Sequence, residues 1–152
     1  MRLLVLLLGL VLASPLAAGE RSVAPGAGSL ATAIAEAAPG DVLTLTDGTY
    51  LGPVVIDRSL AITGPRGAVV DGQGSGSVVT ITAPDVQLTG FTVTGSGRVN
   101  QDLDAGVKIE KGADRARVEN LLVAGNMHGI DVHGGRDTAV LGNALIGTDS
   151  QR

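Results

Sequence analysis

Sliding the chain 23 residues along itself brings AGVKIEKGADRARVENLLVAGN (105–126) onto HGIDVHGGRDTAVLGNALIGTD (128–149). Gly106 meets Gly129, Val107 meets Ile130, Ile109 meets Val132 and Gly112 meets Gly135. Asp114 meets Asp137, Val118 meets Leu141, Asn120 meets Asn143 and Val123 meets Ile146. A looser copy, VVTITAPDVQLTGFTV, lies at 78–93. Self-similarity at a short fixed period is the signature of a stack of small units, each burying its apolar face only against its neighbours.

What kind of unit follows from the runs inside it. After Asp41 the chain breaks into short β-type runs separated by Gly, Asp and Pro: 42–45, 53–56, 60–63, 68–70, 78–81, 86–88, 91–93, 106–109, 116–118, 121–123, 129–132, 139–141 and 144–146. The gaps leave no room for crossover helices, so an α/β sheet is excluded. A leucine-rich repeat has a similar period but one β run per unit, where this chain has two or three. A parallel β-helix fits: an all-β solenoid with coils of about 23 residues stacked about 4.8 Å apart. Matching positions then form ladders, with Asn120 over Asn143 at a corner.

Composition agrees. There are 23 glycines, one Tyr, one Phe and no Trp, so the core must be Val, Ile, Leu and Ala in thin, regular layers. The absence of cysteine excludes disulfides, thiolate metal sites and thiol catalysis. A net charge of −4, without basic runs interleaved with aromatics, argues against nucleic acid as a partner.

Three segments are expected. Residues 1–19 read as a secretory signal: Arg2, an apolar run from Leu3 to Leu12, then Ala17-Ala18-Gly19 as an A-x-G cleavage site before Glu20, with the cut near Gly19. The apolar run is far shorter than the roughly 20 residues of a membrane span. Residues 20–40 hold an irregular stretch (20–28) and one helix, SLATAIAEAA (29–38), capped by Ser29 and stopped by Pro39-Gly40. Leu30, Ala33, Ile34 and Ala37 form its apolar face, suited to covering the open end of a solenoid. Residues 41–152 are β-helix. A solenoid needs both ends covered, and nothing after Gly147 resembles a cap, so the chain reads as an incomplete piece of a longer protein or as one whose last coil is frayed.

The order of these segments carries a resemblance. SLATAIAEAAPGDVLTLTDGTYLGPVVI, then LAITGPRGAVVDGQGSGSVVTITAPDVQLTGFTV, then SGRVNQDLDAGVKIE and NMHGIDVHG, is similar to the N-terminal part of the NosD family. These are right-handed parallel β-helix maturation factors for nitrous-oxide reductase. The resemblance implies a periplasmic, non-enzymatic assembly factor. Its partners would be a membrane ABC transporter, a copper chaperone and the reductase, and its work the supply of the copper–sulfur centre.

GNMHGIDVHG (125–134) holds both histidines of the chain. Imidazole suits copper and a thioether suits Cu(I), so Met127, His128 and His133 are the candidate metal ligands. If Ile130 and Val132 point inward, Asp131 and His133 point out, and the repeat sets Lys108 against Asp131 and Glu110 against His133. As charge pairs on a solvated face these would contribute about 0–1 kcal/mol each. The rival chemistry is that of polysaccharide lyases and uronan epimerases, some of which carry a DPH motif that Asp131-Val132-His133 resembles. A carboxylate and an imidazole on one face could share proton transfer at a sugar carbon. Only Tyr50 and Phe91 are available as sugar platforms, and only Lys108 as a nearby base. A glycan-binding or purely structural β-helix is the third option. Asp71 to Gly76 is Gly-rich without a following helix and reads as a turn rather than a phosphate loop. Residues 95–104, with Asp102 and Asp104, interrupt the repeat as a projecting loop, suited to docking a partner or simply tolerated.

Overall fold

The computed structural model of the chain describes residues 18–147. Many of the β runs turn at residues with positive φ, among them Gly48, Asp85, Gly90, Gly112, Asn120 and Gly142, and the chain winds instead of pairing with its sequence neighbour. The first coil is β1 (Glu20–Val23), β2 (Gly26–Ala27) and α1 (Ser29–Glu36). The second is β3 (Val42–Leu45), β4 (Gly48–Leu51) and β5 (Val54–Ile56); the third is β6 (Ala61–Thr63), β7 (Ala68–Asp71) and β8 (Val79–Ile81). The fourth is β9 (Gln87–Thr89), β10 (Thr92–Thr94) and β11 (Ala105–Ile109); the fifth is β12 (Arg117–Glu119), β13 (Leu122–Ala124) and β14 (His128–Val132). The sixth begins with β15 (Ala139–Leu141) and β16 (Ala144–Ile146).

Three parallel sheets result, ordered β1-β3-β6-β9-β12-β15, β2-β4-β7-β10-β13-β16 and β5-β8-β11-β14. The expected parallel β-solenoid is therefore the observed fold, with about six turns. Inward rows stack aliphatics: Leu43, Ile62, Leu88 and Val118 in the first sheet, and Ile56, Ile81 and Ile109 in the third. Tyr50 and Phe91 are both at most 1% exposed. The Tyr50 hydroxyl accepts from Thr46 N at 2.9 Å and lies 2.6 Å from Val23 O, fastening the first coil to the second.

Helix α1 occupies the place in the first coil where later coils put a third-sheet strand. Leu30, Ala33 and Ile34 are buried on its inner face, and it packs on β4 and on β5, the edge strand of the third sheet. It therefore covers the open edge as expected. Two details differ. Ser29 is the first helical residue, and its hydroxyl bonds Gly26 O at 3.1 Å; the cap is Gly28, at φ 71°, with no side-chain bond. Glu20–Val23 and Gly26–Ala27 are strands, not irregular, because their backbone groups pair with β3 and β4.

Across the two repeats at 105–126 and 128–149, the 23-residue register holds only in the third sheet, where Val107 pairs with Ile130, Lys108 with Asp131 and Ile109 with Val132. In the other two sheets the offset is 22: Val118 pairs with Val140 and Val123 with Leu145, rather than with Leu141 and Ile146. The extra residue of the lower coil is absorbed at Gly112 (φ 96°), between Lys111, which lies near Gly134, and Ala113, which lies near Gly135. Asp114 accordingly meets Arg136, not Asp137. Asn120 and Asn143 do not stack. Asn120, at φ 54°, sits against Gly142, while Asn143 accepts from Leu121 N at 2.9 Å and donates to Val118 O at 2.8 Å.

Candidate functional site

Strands β11 and β14 carry the outward residues of interest, and a break in their alternation decides which side chains share a face. Val107 and Ile109 lie in the core, whereas Ala105 is buried outside that cluster. A Cβ on Gly106 would come 2.6 Å from Val123 Cγ1, so Gly106 also faces inward. Two successive inward positions put Ala105 and Lys108 on the same outer side. One coil up, a Cβ on Gly129 would point at Leu145, and Ile130 packs on the core. His128, Asp131 and His133 thus share the outer face of the third sheet.

The charges on that face pair along the strands. Lys108 Nζ lies 3.7 Å from Glu110 Oε1, and His133 Nδ1 lies 3.6 Å from Asp131 Oδ2. The expected pairing between coils, Lys108 with Asp131 and Glu110 with His133, is replaced by these i, i+2 contacts. Lys108 is drawn sideways instead, donating to Asp102 O at 2.8 Å. Asp131 Oδ2 and His128 Nε2 are buried and make no hydrogen bond among the described residues.

Residues 95–104 flank this face and are held firmly at the base. Ser96 N donates to Asn126 Oδ1 at 3.0 Å, and Met127 N donates to Ser96 Oγ at 2.8 Å. Asn126 Nδ2 donates to Val93 O at 3.1 Å and to Ala124 O at 3.0 Å. Val99 N donates to Asp104 Oδ2 at 2.8 Å, and His128 N donates to Asp104 O at 3.1 Å. Ser96, Asp104 and Asn126 are three of the four buried polar residues among those described; Thr92 is the fourth. Asp104, expected as an exposed acid on a projecting loop, is therefore a brace, while Arg98 to Asp102 form the exposed tip. The Asp71–Gly76 stretch is the turn it was expected to be: Gln73 N donates to Asp71 Oδ1 at 2.8 Å, and Gly97 N donates to Gly76 O at 2.8 Å.

Met127 lines a small cavity with Val123, Asn126, Gly129, Leu145 and Ile146, on the core side of the kink. His133 lies on the outer face beside Asp131. Among the described residues no three His, Cys, Asp or Glu side chains gather at metal-binding distances. The donor types suit copper, with Met127 on the core side and the two histidines on the outer face of the third sheet.

Sequence reasoning missed the charged corner between the third and first sheets. The Arg115 guanidinium grips Asp85 with two bonds of 2.7 Å, and Arg136 reaches Asp114 with its backbone N–H at 3.0 Å and its guanidinium at 3.0 and 3.2 Å. Arg115 holds the Asp85 carboxyl below its ordinary range, and the Arg136 backbone N–H and then its side chain do the same for Asp114. The 22-residue register would have revealed the Asp114–Arg136 pair.

No family model matches the sequence. It is 34% identical over 125 residues to a probable ABC transporter binding protein NosD of Stutzerimonas stutzeri, covering 74% of this chain and 29% of that one. It is 34% identical over 131 residues to the protein of the same name from Pseudomonas aeruginosa, covering 81% and 31%. The chain thus spans about a third of the length of these curated relatives. A variant of the PL6 family alginate lyase AlyGC superposes with a TM-score of 0.70 at 21% identity, over 86% of this chain and 20% of that one. The unsubstituted lyase gives 0.66 at 19%, a likeness of fold alone. Sequence and fold together identify the chain as a NosD-type parallel β-helix, consistent with the N-terminal part of such a protein.

Proposed function

We propose that the chain is the N-terminal coil region of a periplasmic accessory protein, exported by residues 1–19. It would work with a membrane ABC transporter in assembling the copper–sulfur centre of nitrous-oxide reductase. The observation that carries this reading is the 34% identity to two proteins named as probable ABC transporter binding NosD, extending over 125 and 131 residues. The surface supports an accessory role: both aromatic side chains of this chain are buried, so neither ring is left to stack on a sugar, and Lys108 is held beside Glu110 and Asp102 O. The decisive experiment deletes the full-length gene in its host and measures copper and sulfide in the purified reductase. The expected result is a reductase lacking its copper–sulfur centre, restored by the intact gene. A fully assembled reductase in the deletion strain would overturn the reading.

A second reading, a uronan lyase or epimerase, is favoured by one observation: Lys108, Asp131 and His133 share an outward face of a coil that superposes on an alginate lyase. Incubating the full-length protein with alginate separates the two, since a lyase releases unsaturated uronate, an epimerase changes the ratio of mannuronate to guluronate, and an assembly factor does neither. Copper is then cargo rather than a resident cofactor. Anaerobic Cu(I) titration of the purified protein against a chelator should be unchanged by the Met127→Ala/His128→Ala/His133→Ala triple variant, because Met127 lies on the core side of the coil and the two histidines on its outer face. A large loss of affinity in the variant would refute that geometry.

A further inference from the structure

The first coil ends in a small, closed arrangement around Asp41. Its carboxylate accepts two backbone N–H groups, Gly19 N at 2.7 Å on Oδ1 and Ala38 N at 2.8 Å on Oδ2. Gly19 O in turn accepts from Val42 N at 2.8 Å, and the ladder continues with Glu20 paired to Val42. Gly19 is therefore the first rung of the first sheet. A Cβ there would come 3.1 Å from Asp41 Oδ1, so the carboxylate sits closely over this residue.

We infer that export of the protein ends with cleavage of the Ala18–Gly19 bond, and that the α-ammonium group so created is seated on Asp41. This rests on the secretory-signal reading of the N-terminus, with the cut one residue earlier than the A-x-G pattern of Ala17 and Gly19 gives; a cut at Ala18–Gly19 sets Leu16 and Ala18 at the two positions of that pattern, so the bonds made by Gly19, not the leader pattern, favour it. The consequences differ. A cut after Gly19 removes the donor on Asp41 Oδ1 and the acceptor for Val42 N, and leaves β1 to start without its first rung. A cut after Ala18 keeps both bonds and converts the donor from a neutral amide to a cation.

The step is a hydrolysis. Water adds to the Ala18 carbonyl, the C–N bond to Gly19 breaks, and the leader departs with a carboxylate. The Gly19 nitrogen takes up protons and is an ammonium at neutral pH, since a free α-amino group titrates near pH 7.7–8.0, roughly. The catalyst is a leader peptidase of the host. The ammonium joins a defined set of charges: Asp41 itself, Arg21 on β1 paired to Glu36 of α1 at 2.6 Å, and Arg58, which holds Asp57 and donates to Ala35 O and Ala37 O. Because the other oxygen of Asp41 holds Ala38 N at the exit of α1, one carboxylate links the new terminus to the capping helix. Cleavage therefore tightens the cap rather than loosening it.

The intact mass and N-terminal sequence of the protein recovered from the periplasm test this directly. The expected first residue is Gly19. A mature chain starting at Glu20, or anywhere else beyond the leader, overturns the inference while leaving export intact; retention of residues 1–18 overturns the export reading itself. Two full-length proteins made to begin at Gly19 and at Glu20 test the seating. The Gly19 form should unfold at a Tm higher by roughly 2–5 °C, and Asp41→Asn should shrink that difference. Equal Tm values for the two forms with Asp41 intact overturn the seating.

Discussion

Asn126 is the residue on which the third sheet's outer face depends, and its replacement by alanine gives a quantitative test. Its side chain is buried at 6% exposure and makes three hydrogen bonds: from Ser96 N, to Val93 O and to Ala124 O. Each such bond contributes about 1 kcal/mol net, and an orphaned buried partner costs about 1–3 kcal/mol. Truncation leaves three backbone groups without partners where water has poor access, so the expected loss is about 3 kcal/mol. For a chain of this size that lowers Tm by about 6–12 °C. Asn143→Ala is the control. It removes two comparable bonds at the partly exposed last described coil, where water can replace them, and should cost about 1 kcal/mol or less. Asn126→Asp discriminates further: a carboxylate keeps the Ser96 bond but faces the carbonyl oxygens of Val93 and Ala124, so it should be no better than alanine. Urea unfolding of the three variants beside the parent supplies the free energies. A cost under about 1 kcal/mol for Asn126→Ala, or equal costs at the two asparagines, would refute the brace.

Gly106→Ala should destabilise by about 2 kcal/mol or more, since its Cβ would meet Val123 Cγ1 at 2.6 Å and Gly129 O at 2.9 Å inside the coil; Gly129→Ala meets only the mobile Leu145 side chain and should be mild, a contrast that thermal unfolding checks. Tyr50→Phe leaves Thr46 N and Val23 O without the phenolic oxygen and should cost about 1–3 kcal/mol, read from the shift in urea midpoint. Asp85 and Asp114 have folded pKa values below their unfolded value of about 3.9, so their stabilisation is present above that pH and is lost as pH falls through the lower folded values. Arg115→Ala and Arg136→Ala should flatten the acid limb of the stability–pH curve; an unchanged limb would show that these exposed pairs are inert.

Much of the fold was legible because the apolar runs could be buried only by stacking. Every run found from Val42 onward is a strand, shifted by at most one or two residues. The exceptions have physical causes. Strand β4 was hidden because GTYL lies between two glycines and reads as a turn, yet its tyrosine is the most buried aromatic of the core. β1 and β2 were hidden because pairing with β3 and β4, not side-chain propensity, makes them strands. The 23-residue period was right where it was first seen, at Val107 over Ile130, and failed one turn later because a solenoid can drop a residue at a glycine bend without disturbing either flanking ladder.

The candidate site was less legible for the same reason. Its residues are ordered by a broken alternation and by buried polar groups, and neither has a periodic signature. Strict alternation would place His128 opposite Asp131; the consecutive inward positions Gly129 and Ile130 put them together. Ser96, Asp104 and Asn126 look like loop residues in the sequence, and only the Asn126 bonds to Val93 O and Ala124 O show that the excursion is built into the coil. The charges of Lys108, Glu110, Asp131 and His133 were found, but their partners were not. A 23-residue register sets them across coils, whereas the contacts formed are between neighbours two apart on one strand. That leaves Asp131 Oδ2 and His128 Nε2 covered by the coil and short of hydrogen bonds. Burial of that kind costs free energy in a face that is otherwise satisfied. The cost falls on the stretch GNMHGIDVHG, where Met127 lines the cavity on the core side while His128 and His133 share the outer face.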